Sequence, residues 1–345
     1  MHRTHLKHLA PGVALWTGVI LCGGGLRAWA HDGPEDEVAE ITEQIAARGE
    51  SADLLMQRAI EYRVVGKNAE AAKDLERATK LEPELLLAQR ELGRVYFALG
   101  KTNEALDTVT HALRSKAPEQ EAEVAALHML RAEFYRARAE NKKALDDANE
   151  AIRMHPATVE WYLTRSDIHE RLKMPKERIA GIREGLRETG SGVLEIELVE
   201  AMLDDGQNQA ALEKIEAEIK ASRLQSSWLI RRARAEQALG RPEPAKTDLE
   251  AALAEIAKRL NPSSPDPMLL ADKALAHELL GQKDEARKYY ELARDAGGED
   301  WVKEKIKALK AEGEAKAKER EKELEKSWNP EKKGDKEKKN HDKSR

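Results

Sequence analysis

An alanine returns at a near-constant interval through most of this chain, and that period restricts the fold more than any other feature. Ala71, Ala105, Ala144, Ala211, Ala245 and Ala286 each open a short segment of helical apolar spacing, and Arg178-Ile179 fills the same place between residues 144 and 211. The successive spacings are 34, 39, 34, 33, 34 and 41 residues. A period of this length means one supersecondary unit copied seven times over residues 52 to 300 and stacked, because a single copy cannot bury its own apolar face. Each copy reads as two helices. Leu92, Gly93 and Tyr96 fall on one face, Ala105, Val109 and Ala112 on a second. Gly100 separates them, as Gly66, Gly206, Gly240 and Gly281 do in four other copies, since glycine accepts the left-handed turn that ends a helix. Pro83, Pro118 and Pro156 close second helices, because proline disfavours helix at the residue before it.

Composition agrees. Charged residues make up 36% of the 345 and aromatic residues 4%, with only two Phe, too few for the large core of a sheet-based enzyme. Regular Leu, Ala, Ile and Val argue equally against wholesale disorder. The chain reads as nearly all-helical, with alanine contacts doing the packing.

The residue set resembles the tetratricopeptide repeat family. Ala59, Tyr62, Ala71 and Ala78 with Pro83 stand at the family's characteristic positions; Gly93, Tyr96, Ala105 and Ala112 repeat them, as do Ala132, Tyr135, Ala144 and Ala151 with Pro156. Ala233, Ala245 and Ala252, then Ala274, Ala286 and Ala293, keep the small positions. Two copies depart: Ser166 and Val199 replace the small residue, His169 and Met202 the aromatic, and Gly185 and Glu218 the last alanine, which suggests wider or twisted packing there. The resemblance implies an all-α, right-handed solenoid with units near 52–85, 86–119, 125–158, 159–191, 192–225, 226–259 and 267–300. The longer spacings mark insertions: residues 119–123 lengthening a first helix, and a loop from Asn261 to Pro267 whose three prolines make it the expected hinge or proteolysis site.

The ends differ from the repeats. Arg3 and Lys7 precede an uncharged, Gly-rich apolar stretch from Pro11 to Leu26, and Ala28-Trp29-Ala30 follows. This is the pattern of a secretory signal over 1–30 cleaved after Ala30; the competing reading is an uncleaved anchor. Lipidation at Cys22 is disfavoured by bulky Leu21. Cleavage takes 59 basic residues to 56 against 64 acidic, a net of −8, and removes the only cysteine. The expected product is an exported chain, periplasmic or secreted, that needs no disulfide. Nucleic acid is a poor partner for that charge, and no stable membrane insertion is expected after cleavage. Residues 31–51 hold a lead-in helix with Val38, Ile41 and Ile45 on one face. Residues 301–327 hold a helix whose Trp301, Val302, Ile306 and Leu309 cap the last unit before it turns into alternating Glu and Lys, and the charged tail 328–345 is expected to be disordered.

No catalytic constellation emerges. His31, His111, His128, His155, His169, His277 and His341 lack zinc-ligand spacing; His169 and His277 stand where other copies carry Tyr and are expected to pack. There is no phosphate loop or nucleophile elbow. The acidic run Glu195, Glu197, Glu200, Asp204 and Asp205 lacks an EF-hand's alternation and reads as a solvated face. Neither enzyme activity nor a cofactor or metal is expected. What the resemblance implies instead is a groove lined by first helices that takes a protein or peptide. Its candidate residues are Arg90, Arg94 and Phe97, then Asp167 and Glu170, then Glu197, Glu200 and Asp204, then Arg231 and Arg234, so the groove runs basic, acidic, basic. The alternative is ordinary solubility charge. The Lys/Asn set with which some relatives clamp a terminal carboxylate is not visible. The expected role is an exported scaffold for protein–protein interaction; the alternative is an envelope-associated structural factor tethered by its tail or an uncleaved signal.

Overall fold

The computed structural model describes residues 33–114, 120–298 and 300–327. The expectations for residues 1–30, His31, Pro118 and the tail 328–345 lie outside them. Among the described residues every regular element is an α-helix, as expected. The chain divides into two compact bodies, Met1–Glu82 and Pro83–Arg345.

The first body holds α1 (Pro34–Arg48), α2 (Ala52–Val64) and α3 (Asn68–Leu81). Proline at the first turn and Glu35, Asp36 and Glu37 beside it favour the start of α1, and Ile41 is its buried contact. Ser51 caps α2 by accepting from the Leu54 amide at 3.2 Å. Ala59, Ala71 and Ala78 are wholly buried where α2 crosses α3.

The second body contains six helical pairs and a terminal helix: α4 (Leu86–Ala98) with α5 (Thr102–Ala112), α6 (Glu121–Ala137) with α7 (Asn141–Met154), α8 (Val159–Arg171) with α9 (Pro175–Thr189), α10 (Gly192–Asp204) with α11 (Asn208–Ala221), α12 (Ser226–Ala238) with α13 (Pro242–Arg259), α14 (Pro267–Leu279) with α15 (Lys283–Asp295), and α16 (Asp300–Ser327). From α5 on each helix packs on the one before it, and the first helices also touch one another: α4 meets α6, α6 meets α8, α8 meets α10, α10 meets α12, and α12 meets α14. They form a continuous row on one side of this body. Ala105, Ala112, Ala132, Ala144, Ala151, Ala233, Ala245, Ala252, Ala274, Ala286 and Ala293 are all wholly buried. Alanine's small side chain lets helices approach closely, which is why so few aromatics suffice. Val302 and Ile306 of α16 join Ala286, Tyr290 and Ala293 in the last core cluster; Trp301's side chain is not described.

Packing of α8 on α9 is not looser, contrary to the expectation from Gly185. The missing methyl is replaced by Tyr162, which is 1% exposed, and a Cβ on Gly185 would lie 2.6 Å from that ring and 2.9 Å from Leu194. Volume has moved from one helix to its partner.

The turn between paired helices has one left-handed residue. Gly66, Gly100, Gly206, Gly240 and Gly281 take it with φ of 73–75°. In the α6–α7 and α8–α9 pairs, where no glycine marks the turn, Ala139 (φ 59°) and Lys173 (φ 57°) adopt the same backbone. A side chain in that region costs about 1 kcal/mol or more. Both residues are exposed, so Lys173→Gly should stabilise the chain by about 1 kcal/mol, read as a higher urea midpoint by circular dichroism. An unchanged or lower midpoint would show that the strain is absent.

Candidate functional site

A clasp inside the pairs accounts for several charges before any reach the surface. Arg58 grips Asp74 with two hydrogen bonds of 2.7 and 2.8 Å, Arg131 grips Asp147 with two of 2.7 Å, and Arg232 grips Asp248 at 2.7 and 2.6 Å. Each pair is separated by 16 residues and ties a first helix to its own second helix. Sequence reasoning missed this. The signal was present: Arg precedes the small Ala59, Ala132 and Ala233, and Asp follows three residues after Ala71, Ala144 and Ala245. Where Gly181 stands in the Asp position, Arg165 donates instead to the Gly181 carbonyl at 3.2 Å and to Glu184 at 2.6 Å. In the last pair, Lys273 lies over the Tyr289 ring at 4.1 Å.

The remaining first-helix charges form a seam along the row. Arg90 meets Glu123 of the next first helix at 2.8 Å, and Arg136 meets Asp167 at 2.8 Å. Ser166 donates to Glu197 at 2.6 Å, and Arg231 meets Glu200 at 2.8 Å. Gln237 donates to the Leu279 carbonyl at 2.9 Å, and Lys305 of α16 meets Glu278 at 3.0 Å. Every step from α4 to α16 is therefore crossed by a polar bridge. Arg178, 7% exposed, reaches from α9 to Glu197 at 2.9 Å, Asp204 at 3.0 Å and Glu170 at 3.2 Å. Burial disfavours its charge, but the hydrogen bond it donates to Glu197 and the carboxylates around it more than compensate, so its pKa is raised.

The ten residues singled out from sequence are all on the row; Glu200 and Asp204 pair with Arg231 and Arg234, and the other six engage residues outside the set. Arg94 pairs with Glu91 at 2.8 Å, and Phe97 stacks on Phe134 at 4.7 Å between ring centroids. Asp167 accepts from both Arg136 and Arg171 at 2.8 Å. Arg234 bonds Glu200 and lies 3.4 Å from Asp204. The basic, acidic, basic order is real along the chain, but its charges largely neutralise across neighbouring helices.

Two carboxylates that sequence reasoning did not single out behave differently. Glu133 is exposed, yet surrounding protein desolvates it enough to raise its pKa against the pull of Arg94 and Arg136. Asp272 is half-buried, and burial pushes it up to about 6 despite Arg231 and Arg259. The sign follows: between about pH 4 and 6 folded Asp272 holds a proton that the unfolded chain releases, so stability falls as pH rises through that window. Asp272→Asn should therefore raise the melting midpoint at pH 7.5, with the gain fading as pH falls from about 6 towards 4. A gain independent of pH would contradict this.

His169 is 7% exposed, with burial lowering its pKa, and His277 stacks on Tyr289 at 5.4 Å, so both pack. Among the described residues no three His, Cys, Asp or Glu side chains gather as a metal site, and no helix is long and apolar enough to cross a membrane.

Two sequence-family models described as tetratricopeptide repeat match residues 56–121 and 269–293. No curated protein matches the chain in sequence. The crystal structure of a tetratricopeptide repeat protein from Parabacteroides merdae is 19% identical, with 75% of this chain and 98% of that one covered at a TM-score of 0.53; the likeness is one of fold. YrrB, a TPR protein with an unusual peptide-binding site, is 14% identical over 55% of this chain and all of its own at 0.43. Pseudomonas aeruginosa pilF is 15% identical over 58% of this chain and 89% of its own at 0.46. Neither of these two likenesses is close enough to carry a functional argument.

Proposed function

Because this chain belongs to the tetratricopeptide-repeat family, we propose that it is a non-catalytic scaffold that binds a protein or peptide along the first helices of its second body. The observation that supports this reading is the row of first helices α4 to α14, which touch one another in succession along one side of this body. The bridges along the row hold neighbouring first helices in register, so a partner meets a preorganised surface and loses less entropy in ordering it.

The test is capture of a partner by the full chain and by Arg94→Ala. Arg94 is 43% exposed, so its loss should move the melting point little while changing capture several-fold. Equal capture by both proteins counts against the row as the binding face.

Export is the second part of the proposal, supported by the charge and apolar pattern of residues 1–30. Amino-terminal sequencing of the protein recovered from its cell should read His31 first. A soluble protein starting there excludes the anchored version, whereas a membrane-bound protein starting at Met1 favours a tethered envelope factor.

A further inference from the structure

We propose that the partner segment is basic, and that Glu133 and Asp272 are the points on the first-helix row where its lysine or arginine side chains dock. The proposal rests on the scaffold reading and adds the chemistry of the partner.

Pairing along the row separates these two from their neighbours. Beyond the first turn of each first helix from α4 to α14, Glu91, Asp167, Glu170, Glu197, Glu200, Asp204, Glu236 and Glu278 all have an arginine or lysine within ion-pair distance. Glu133 and Asp272 have neither a hydrogen bond nor an ion pair among the described residues. The arginines that act on them from a distance are held elsewhere: Arg94 by Glu91, Arg136 by Asp167, Arg231 by Glu200 and Arg259 by Glu255.

The asymmetry with the basic residues decides the sign of the partner. Each arginine of these helices already has a carboxylate: Arg90, Arg94, Arg131, Arg136, Arg165, Arg171, Arg231, Arg232 and Arg234. An acidic segment reaching any of these arginines would have to displace its carboxylate and leave it uncompensated, and Lys273, the lysine of these helices, already lies over the Tyr289 ring at 4.1 Å. A basic side chain reaching Glu133 or Asp272 breaks no existing pair and meets a carboxylate that protein has already partly stripped of water, where a charge-assisted bond is stronger than in bulk solvent. The two sites lie four first-helix steps apart, on the order of 30–40 Å at the usual interaxial distance. An extended segment rises about 3.3 Å per residue, so about ten or more residues reach both.

The test uses the full chain and a fluorescent 16-residue peptide of Lys, Ser and Ala, with a counterpart carrying Glu in place of Lys, followed by anisotropy at low ionic strength. The lysine peptide should bind and the glutamate peptide should not. Glu133→Gln with Asp272→Asn should weaken binding about tenfold, near 1.4 kcal/mol. A control that removes the same charge from exposed second-helix positions, Glu213→Gln with Glu243→Gln, should leave affinity within about twofold. Both replacements at the sites remove desolvated charge, so loss of fold is not expected, and circular dichroism checks it. No binding of the lysine peptide, or equal weakening by the control pair, overturns the proposal. If the glutamate peptide binds instead and Arg94→Ala weakens it, the basic partner is wrong while the scaffold reading stands. If whatever binds ignores every first-helix substitution, both fall.

Discussion

Asp147→Ala is expected to destabilise the second body by about 3 kcal/mol, the range for removing one partner of a largely buried ion pair. Asp147 and Arg131 are 7% and 17% exposed, and Asp147 also bonds His128 at 2.8 Å. Alanine would leave the Arg131 guanidinium inside the helix pair without its two acceptor oxygens, and the desolvation already incurred would no longer be offset. Urea unfolding followed by circular dichroism measures the loss. A change below about 1 kcal/mol would place this clasp with ordinary surface pairs. Replacing both residues by leucine should cost less than the two single changes summed, because no unpaired charge then remains. The effect has a pH signature. Burial pushes the Asp147 carboxyl up, but hydrogen bonds from Arg131 and His128 outweigh it and hold the pKa below its ordinary value. An acid depressed by folding stabilises above its unfolded pKa and ceases to as pH falls through its folded one. The gap between wild type and Asp147→Ala should therefore be full near pH 6 and close below about pH 4.

Gly185→Ala should lower stability by about 1–3 kcal/mol through overpacking, although the same change in an open helix raises it by about 1 kcal/mol. The reversal has a geometric cause, since the new methyl would sit 2.6 Å from the Tyr162 ring and that ring is enclosed by the core. Gly313 in α16 supplies the comparison, with nothing within 4 Å of its would-be Cβ; Gly313→Ala should be neutral or mildly stabilising. If Gly185→Ala proves as harmless, Tyr162 has room to move and α8 packs loosely on α9.

These two sites also show what can be read from sequence. The alanines mark the helix crossings because a small residue kept at a fixed period signals a close contact repeated at that period, and Ala105, Ala144 and Ala245 are indeed wholly buried. Gly185 reads as a gap, because a one-dimensional pattern does not show that Tyr162 on the preceding helix fills it. Ala139 and Lys173 carry no signal, since nothing about either residue announces a left-handed backbone. The clasp is legible in principle as Arg before the small residue and Asp three after the middle alanine. The seam is not, because Arg90 and Glu123 or Arg136 and Asp167 look like solubility charges until the helices lie side by side. For the same reason Glu133 and Asp272 stand out only once the other acids beyond the first turns of the row have been matched to bases.

Site-directed photocrosslinking measures the central claim most directly. A photoreactive residue is placed singly at Glu133, Asp272 or Arg94 on the first helices, and at Glu213 or Glu250 on the second, in the full chain exposed to its own cell extract. Crosslinks to a common partner should form from the three first-helix positions and not from the two second-helix ones. Crosslinks confined to the second-helix positions would contradict the row of first helices as the working surface.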